Sequence, residues 1–462
     1  MSSTPSNILF IVADDLNAWI GALGAHPQSR TPNIDRLAER GLLFERAYCT
    51  APYCNASRMS VFYGLQPSAS GIYHNEAYTP GPAPPTYFEL LRARGYYTAA
   101  AGKVFHGTYD YASAGRGLLS QAEWIPVHDQ SAQWDEAASA IPEPMPPARP
   151  LNRMFDFDRF DEVDPWNHLL DWGVLPEGRE AETPDAQVVA AASEFLTRAH
   201  QAPFLFAAGF YKPHLPWYAP QRFFDMHPLD DVIVPDVRED ELDEVPPIPR
   251  GWALNPPDHA TILRHNQWKH AVQGYLASIS YCDAQIGRVV DALEASPAAD
   301  NTTIVLWGDN GFHLGEKLHW RKFVLWEEAT RVPLIIVPPR RSGLPARRIK
   351  EPVSLVDLFP TLFELSDLDA PADRDGRSLM ALVKAETSPI NRPVLTTWRR
   401  GNHSLRFSTW RYTRYSDGTE ELYDQSSDPR ERCNLARQET FRQALARNRE
   451  LLDTMLKGSL ED

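Results

Sequence analysis

Cysteine is scarce in this chain: four in 462 residues, at positions 49, 54, 282 and 433. No two form a C-x-x-C pair, so neither a zinc ribbon nor a dithiol redox centre is written into it, and a core of this size needs no disulfide framework. Cys49, Cys282 and Cys433 read as structural. Long apolar runs are absent too. Runs such as residues 8–13 and 334–337 fall far short of the roughly 18 residues that span a bilayer. Residues 1–6 carry no basic side chain, and the apolar run behind them meets two aspartates at once; this is not the pattern of a secretory signal, and the expectation is a cytoplasmic protein. Positive charge is in deficit, 46 Lys and Arg against 61 Asp and Glu, for a net charge of −15. That balance argues against nucleic-acid or membrane partners, and an anionic ligand has to be met at one concentrated site. Internal repeats are missing as well.

Proline is abundant, at 40 residues, well above the average of about 5%. Long ordered loops follow. With 43% hydrophobic residues the chain can bury a large core. Residues 8–12, 204–210, 303–307 and 332–337 read as buried strands. Helices are expected at 31–41 with Thr31 as N-cap, at 86–94, at 183–199 and at 268–295. Strands alternating with helices predict a large, mostly parallel sheet covered by helices on both faces, with ligands beyond the carboxyl ends of the strands. After about residue 370 the pattern changes to short aromatic strands, with a turn at Ser416-Asp417-Gly418. The expected organisation is a main domain over 1–370 with an insert at about 107–182, and a C-terminal α+β subdomain over 371–462 holding an antiparallel sheet.

Asp14-Asp15 and Asp309-Asn310 each follow a predicted strand. Alone, either pair reads as solvated acids, a helix cap or an Asx turn. Together they supply four hard oxygen donors, which suit Ca²⁺ foremost, or Mg²⁺ or Mn²⁺, better than zinc. Cys54-Asn55-Ala56-Ser57-Arg58 is the sharpest signal. A lone cysteine is ordinarily a small buried hydrophobe. Here it precedes a helical start, where free backbone N–H groups favour negative charge, and Arg58 is spaced to fork onto two oxygens of a tetrahedral anion.

Further segments are Asn7-Ile-Leu-Phe-Ile-Val-Ala-Asp-Asp15, Gly102-Lys103-Val-Phe-His106, Lys212-Pro-His214, Gly308-Asp-Asn-Gly-Phe-His-Leu-Gly-Glu316 and Trp320-Arg-Lys322. In this order, across most of residues 7–365, they resemble the type I sulfatases of the alkaline phosphatase superfamily, in the iduronate-2-sulfatase-like branch. Cys54 to Arg58 matches the C-x-A-S-R form of the signature, with Ala56 where proline is commoner. The resemblance implies an alkaline phosphatase-like fold and a sulfuric ester hydrolase. It implies that a separate formylglycine-generating maturation enzyme oxidises Cys54 to formylglycine, whose hydrate is the nucleophile. It implies that Asp14, Asp15, Asp309, Asn310 and residue 54 hold the divalent ion. It makes His106 the base and His214 the acid, with Lys103 and Lys322 on the sulfate. Three carboxylates, three cations and a divalent ion make one positive pocket in an acidic protein. Lys212, His313 and Trp217 are weaker candidates for the substrate's polar groups or ring, as are Tyr218 and the Trp166-Asn167-His168 segment. The expected substrate is a small sulfated sugar, alcohol or arene. A homo-oligomer is compatible with the sequence. Two alternatives stand beside this reading: a formylglycine-dependent phosphonate monoester or phosphodiester hydrolase, and an unmatured protein that binds sulfated ligands without turnover.

Overall fold

The apolar run near the N-terminus forms strand β1 (Asn7–Asp14), which is buried throughout because its side chains alternate between two cores. Leu9, Ile11 and Ala13 enter one core; Ile8, Phe10 and Val12 enter the other. The computed structural model describes residues 5–76, 78, 81–109, 124–126, 133–138, 151–154, 170–384 and 392–461. Most of the expected insert at 107–182, including Trp166, Asn167 and His168, lies outside the described residues.

After β1 come α1 (Pro32–Arg40), β2 (Leu42–Phe44), α2 (Cys54–Tyr63), α3 (Tyr87–Ala93), β3 (Tyr97–Gly102) and β4 (Glu136–Ala138). They are followed by α4 (Pro184–Thr197), β5 (Phe204–Pro213), α5 (Trp268–Glu294), β6 (Thr302–Gly308), β7 (Leu334–Val337) and β8 (Arg347–Ile349). The eight strands make one sheet in the order β8-β2-β7-β6-β1-β5-β3-β4. Helices α1, α4 and α5 pack on one face, and α2 and α3 on the other.

The sheet is parallel except at β7, which runs antiparallel to both β6 and β2. The sheet is mostly parallel, as expected, and β7 is its one reversed strand among the described residues. Leu334 pairs with Trp307, so the connection from β6 begins and ends at the same edge of the sheet, and the chain returns antiparallel without a crossover. A correction concerns Thr31. Its hydroxyl accepts from the Gly21 N–H (2.8 Å) rather than capping α1. Asp283 of α5 takes that role, accepting from the backbone N–H groups of Asn33 (3.0 Å) and Ile34 (2.8 Å). At α3, Thr86 and Glu89 form a reciprocal capping box.

The C-terminal part is a four-stranded antiparallel sheet, β9 (Val394–Thr397), β10 (His403–Phe407), β11 (Trp410–Arg414) and β12 (Glu420–Asp424), in that order. Gly418, at φ +82°, turns the β11–β12 hairpin. Helix α6 (Arg442–Leu456) lays Leu445, Leu452 and Leu456 on Leu405, Tyr412 and Leu422 of this sheet. Cys49 and Cys282 are buried, as structural cysteines are, but Cys433 is exposed. Among the described residues, no helix is long and apolar enough to cross a membrane.

Candidate active site

Strand register brings the two acidic pairs together. Ala13 of β1 lies opposite Gly308 of β6, so Asp14-Asp15 and Asp309-Asn310 leave the sheet side by side at its carboxyl edge. On the other side of β1, Gly102 of β3 pairs with Gly209 of β5. Lys103 to His106 and Lys212 to His214 therefore emerge at the same edge. Gly209 is required there: a Cβ would sit 2.1 Å from the carbonyl carbon of Lys103. Helix α2 presents Cys54 in its first turn.

Asp14, Asp15, Cys54, Asp309 and Asn310 are all buried. Lys322 Nζ donates to Cys54 Sγ at 2.8 Å and to Asp15 Oδ1 at 2.5 Å. Lys103 Nζ pairs with Asp14. His214 Nε2 lies 3.8 Å from Asp15 Oδ2, and its Nδ1 contacts the Leu215 carbonyl oxygen at 2.5 Å. His106 is buried, and among the described residues neither ring nitrogen has a hydrogen-bond partner. Asp15 occupies the left-handed region at φ +60°, unusual for an aspartate. Its N–H donates to Asp309 Oδ1 (3.0 Å), and its carbonyl accepts from the Tyr275 hydroxyl (2.8 Å). Those two bonds hold the strained carboxylate at the site. Nothing in the α5 sequence marks Tyr275 for this task; its spacing is that of an ordinary core residue.

Burial shapes the charges. It raises Asp15, and pushes Asp309 up to about 6 despite the Arg58 guanidinium beside it. Burial also works to raise Asp14, yet Lys103, His214 and Arg58 together hold it well below the usual carboxylate range. Burial, with Lys103 beside it, pushes His106 well down. The same burial pushes His214 down, with Asp14 opposing. Burial drives the Cys54 thiol well up, so the unconverted cysteine is a neutral thiol.

The donor set fits a divalent cation. One ligand atom from each of Asp14, Asp15, Cys54 and Asp309 lies within 4.8 Å of the others. Asn310 Oδ1 is buried with no hydrogen-bond partner, an orphaned acceptor beside three carboxylates. Carboxylate and amide oxygens are what Ca²⁺, Mg²⁺ and Mn²⁺ take.

Several expected residues stand elsewhere or act otherwise. Arg58 is not an open fork. Its Nε donates to Asp309 Oδ2 (2.8 Å), its Nη2 to Asp14 Oδ1 (3.3 Å), and its Nη1 to the carbonyls of Lys103 and Val104. A fully buried guanidinium needs all these acceptors, so Arg58 positions the two carboxylates. Lys212 Nζ is turned inward, donating to the Pro216 carbonyl at 2.6 Å. Tyr218 is buried with its hydroxyl on Asp171. His313 lines a separate cavity, with Nδ1 against the Glu316 carbonyl (3.1 Å). Trp217 is fully buried, donates to the Pro213 carbonyl (2.7 Å) and packs on Trp172, Tyr275 and Phe312. It is core, and no face is left for a substrate ring. Trp217→Ala is therefore expected to cost about 3–5 kcal/mol in chemical denaturation.

The aromatic wall of the site comes from residues with no sequence signal. Tyr53, next to Cys54, stacks on His74 at 4.0 Å and on Trp398 at 5.8 Å. Phe323 closes the group, 5.6 Å from Trp398. Trp398 directly follows β9, so the C-terminal sheet reaches the catalytic edge.

Two family models match the chain: Sulfatase over residues 6–368, and N-sulphoglucosamine sulphohydrolase, C-terminal, over residues 315–457. A sulfatase of Formosa agariphila is 35% identical, covering 96% of this chain and 86% of its own. Human iduronate 2-sulfatase is 31% identical over 79% of this chain and 70% of its own. Among solved structures, the phosphonate monoester hydrolase of Agrobacterium radiobacter superposes with a TM-score of 0.75, at 18% identity, over 97% of this chain and 95% of that one.

Proposed function

The chain belongs to the sulfatase family of sulfuric ester hydrolases, and from that premise we propose that it cleaves a small sulfate monoester to alcohol and inorganic sulfate, with residue 54 as the nucleophile. The observation that carries the residue assignment is the position of Cys54 Sγ, 2.8 Å from Lys322 Nζ and clustered with Asp14, Asp15 and Asp309.

Asp14, Asp15, Asp309 and Asn310 would hold the divalent ion, with calcium the first choice; when bound it supplies Lewis-acid stabilisation of negative charge on sulfate oxygens. Conversion of Cys54 to formylglycine by a maturation enzyme supplies an aldehyde hydrate, one hydroxyl to take the sulfuryl group and a second whose deprotonation expels it. Lys322 and Lys103 hold the sulfate oxygens. His106, kept neutral by burial, has free ring nitrogens and accepts the proton of the second hydroxyl. His214, 26% exposed at the side chain, stands where the alcohol departs and donates the proton to it. Burial keeps His214 neutral in the free protein, so its protonation follows the negative charge that the ester brings. His214→Ala is expected to slow hydrolysis of alkyl or sugar sulfates by about 10²–10⁴-fold, and that of a nitroaryl sulfate far less, because a phenolate needs no proton to leave. An equal loss on both would remove His214 from this role.

A sulfated sugar is the favoured substrate class, since the human relative carries an iduronate sulfatase name. The protein is proposed to act in the cytoplasm. The fold shared with the phosphonate monoester hydrolase keeps a second reading in view, hydrolysis of a phosphonate ester or phosphodiester. A panel of sulfated sugars, aryl sulfates, choline sulfate and phosphonate esters, assayed on matured protein, decides between them: a preference for the phosphonate ester overturns the sulfatase assignment. Intact mass tests maturation, because conversion exchanges sulfur for oxygen, removes two hydrogens and leaves a lighter chain. An unchanged mass after expression with the maturation enzyme favours a ligand-binding protein.

A further inference from the structure

A partly open cavity of about 300 Å³ contains none of the side chains clustered around Cys54. Its walls come from the segment after Asp15, a strap at 233–236, the loop that carries Lys322, and the end of the C-terminal sheet region. Six acids line it, and four are matched: Asp236 by Arg430 and Arg432, Glu241 by Arg432, Glu327 by Arg411, and Glu431 by Arg411. Two are not. The Glu316 carboxylate accepts backbone N–H groups, that of Leu314 at 2.7 Å, but among the described residues no ion pair reaches it, and no hydrogen bond or ion pair reaches the carboxylate of Glu328. His313 is a separate observation. It is 1% exposed, lines the same cavity, and among the described residues its Nε2 has no hydrogen-bond partner. Lys317, the lysine on the same wall, is turned to the Glu431 carbonyl, so a buried ring nitrogen and two carboxylates without an ion pair among the described residues are left for a donor with positive charge. Trp326, with the Lys317 ammonium 5.7 Å from its ring centre, shows that this wall accepts an organic cation. One metal ion is the poorer fit: among the described residues, the ligand groups that converge closely enough for an ion all belong to the Cys54 site.

We propose that this cavity binds a small organic ammonium ion bearing N–H donors, with Glu316 and Glu328 as its counter-charges and His313 Nε2 as a neutral acceptor. The volume suits a molecule of a few heavy atoms, near the lower end of ligand pockets. The charge state agrees. Burial and the neighbouring Glu316 push Glu328 up to about 8, and burial pushes Glu316 up to about 7, so a cation relieves a cost already present.

Isothermal titration of the full chain with 1,4-diaminobutane, tetramethylammonium and calcium chloride tests this. The diamine is expected to bind one-to-one. Tetramethylammonium, which has no N–H, is expected to bind about tenfold or more weakly, as is the diamine to Glu328→Gln or Glu316→Gln. Binding is expected to survive in Cys54→Ala and in the presence of chelator, which separates this site from the hydrolytic one. Absence of saturable diamine binding, diamine binding to both glutamine variants as tight as to the unsubstituted chain, or loss of binding in Cys54→Ala overturns the proposal. Folding of the variants has its own readout. Glu328→Gln is expected to raise Tm, more at pH 9 than at pH 5. The folded-state pKa of Glu328 lies above the unfolded one, so the wild type loses stability as pH rises between the two.

Discussion

Cys54→Ala is expected to lose sulfate-ester hydrolysis by on the order of 10⁴-fold or more, while thermal unfolding moves little. The side chain is small and buried among charged groups, and its removal opens a cavity of about one sulfur atom. Lys322 keeps its partner Asp15, and Arg58 keeps Asp14 and Asp309, so the carboxylates stay in place. What disappears is the atom that attacks. Cys54→Ser sharpens the test. A serine hydroxyl can take the sulfuryl group but has no second hydroxyl to expel it. The serine variant is expected to stop after one turnover and to carry one added SO₃ by mass spectrometry. Full hydrolysis by Cys54→Ala would assign the nucleophile elsewhere. Continued turnover by Cys54→Ser would make the aldehyde hydrate unnecessary.

Removal of divalent ions is expected to abolish turnover and lower Tm, with both restored by Ca²⁺, Mg²⁺ or Mn²⁺. Three buried carboxylates meet at one point, and burial holds two of them toward the protonated form. Lys103, Lys322 and Arg58 pair with these carboxylates, and among the described residues Asn310 Oδ1 is left without a donor. A cation binding the folded chain alone stabilises it by about 2.7 kcal/mol at a hundredfold excess over Kd. Asp309→Asn is the matched control: it removes one charge at nearly constant volume and is expected to weaken the ion's effect on both Tm and rate. An activity and a Tm indifferent to chelation would leave the carboxylate cluster without the role assigned to it.

Part of this site was legible along the chain. β1 could be placed because a continuous apolar run ending in two acids has one reading in a parallel sheet: a buried strand with carboxylates at its carboxyl edge. The same reasoning located Asp309 and Asn310, and the alternation of strands and helices implied that both pairs face one rim. The segment from Cys54 to Arg58 carried its meaning through spacing within a single helical turn. Local order of this kind survives in sequence because it depends on neighbours a few residues apart.

Arg58, Trp217, Lys212 and His313 show where that reach ends. Each is a residue type that suits a ligand, and each is claimed by a partner distant in sequence or by a turn of the chain. Arg58 is drawn to two carboxylates 44 and 251 residues away. Trp217 and Lys212 are held by carbonyls of the loop around His214. The reversal of β7, the cap that Asp283 lends to α1, the hold of Tyr275 on Asp15 and the arrival of Trp398 from the C-terminal sheet are of the same kind. A buried polar group takes whichever acceptor or donor the folded chain brings within about 3 Å. Which one arrives is a property of packing between distant segments, and periodicity and spacing carry no record of it.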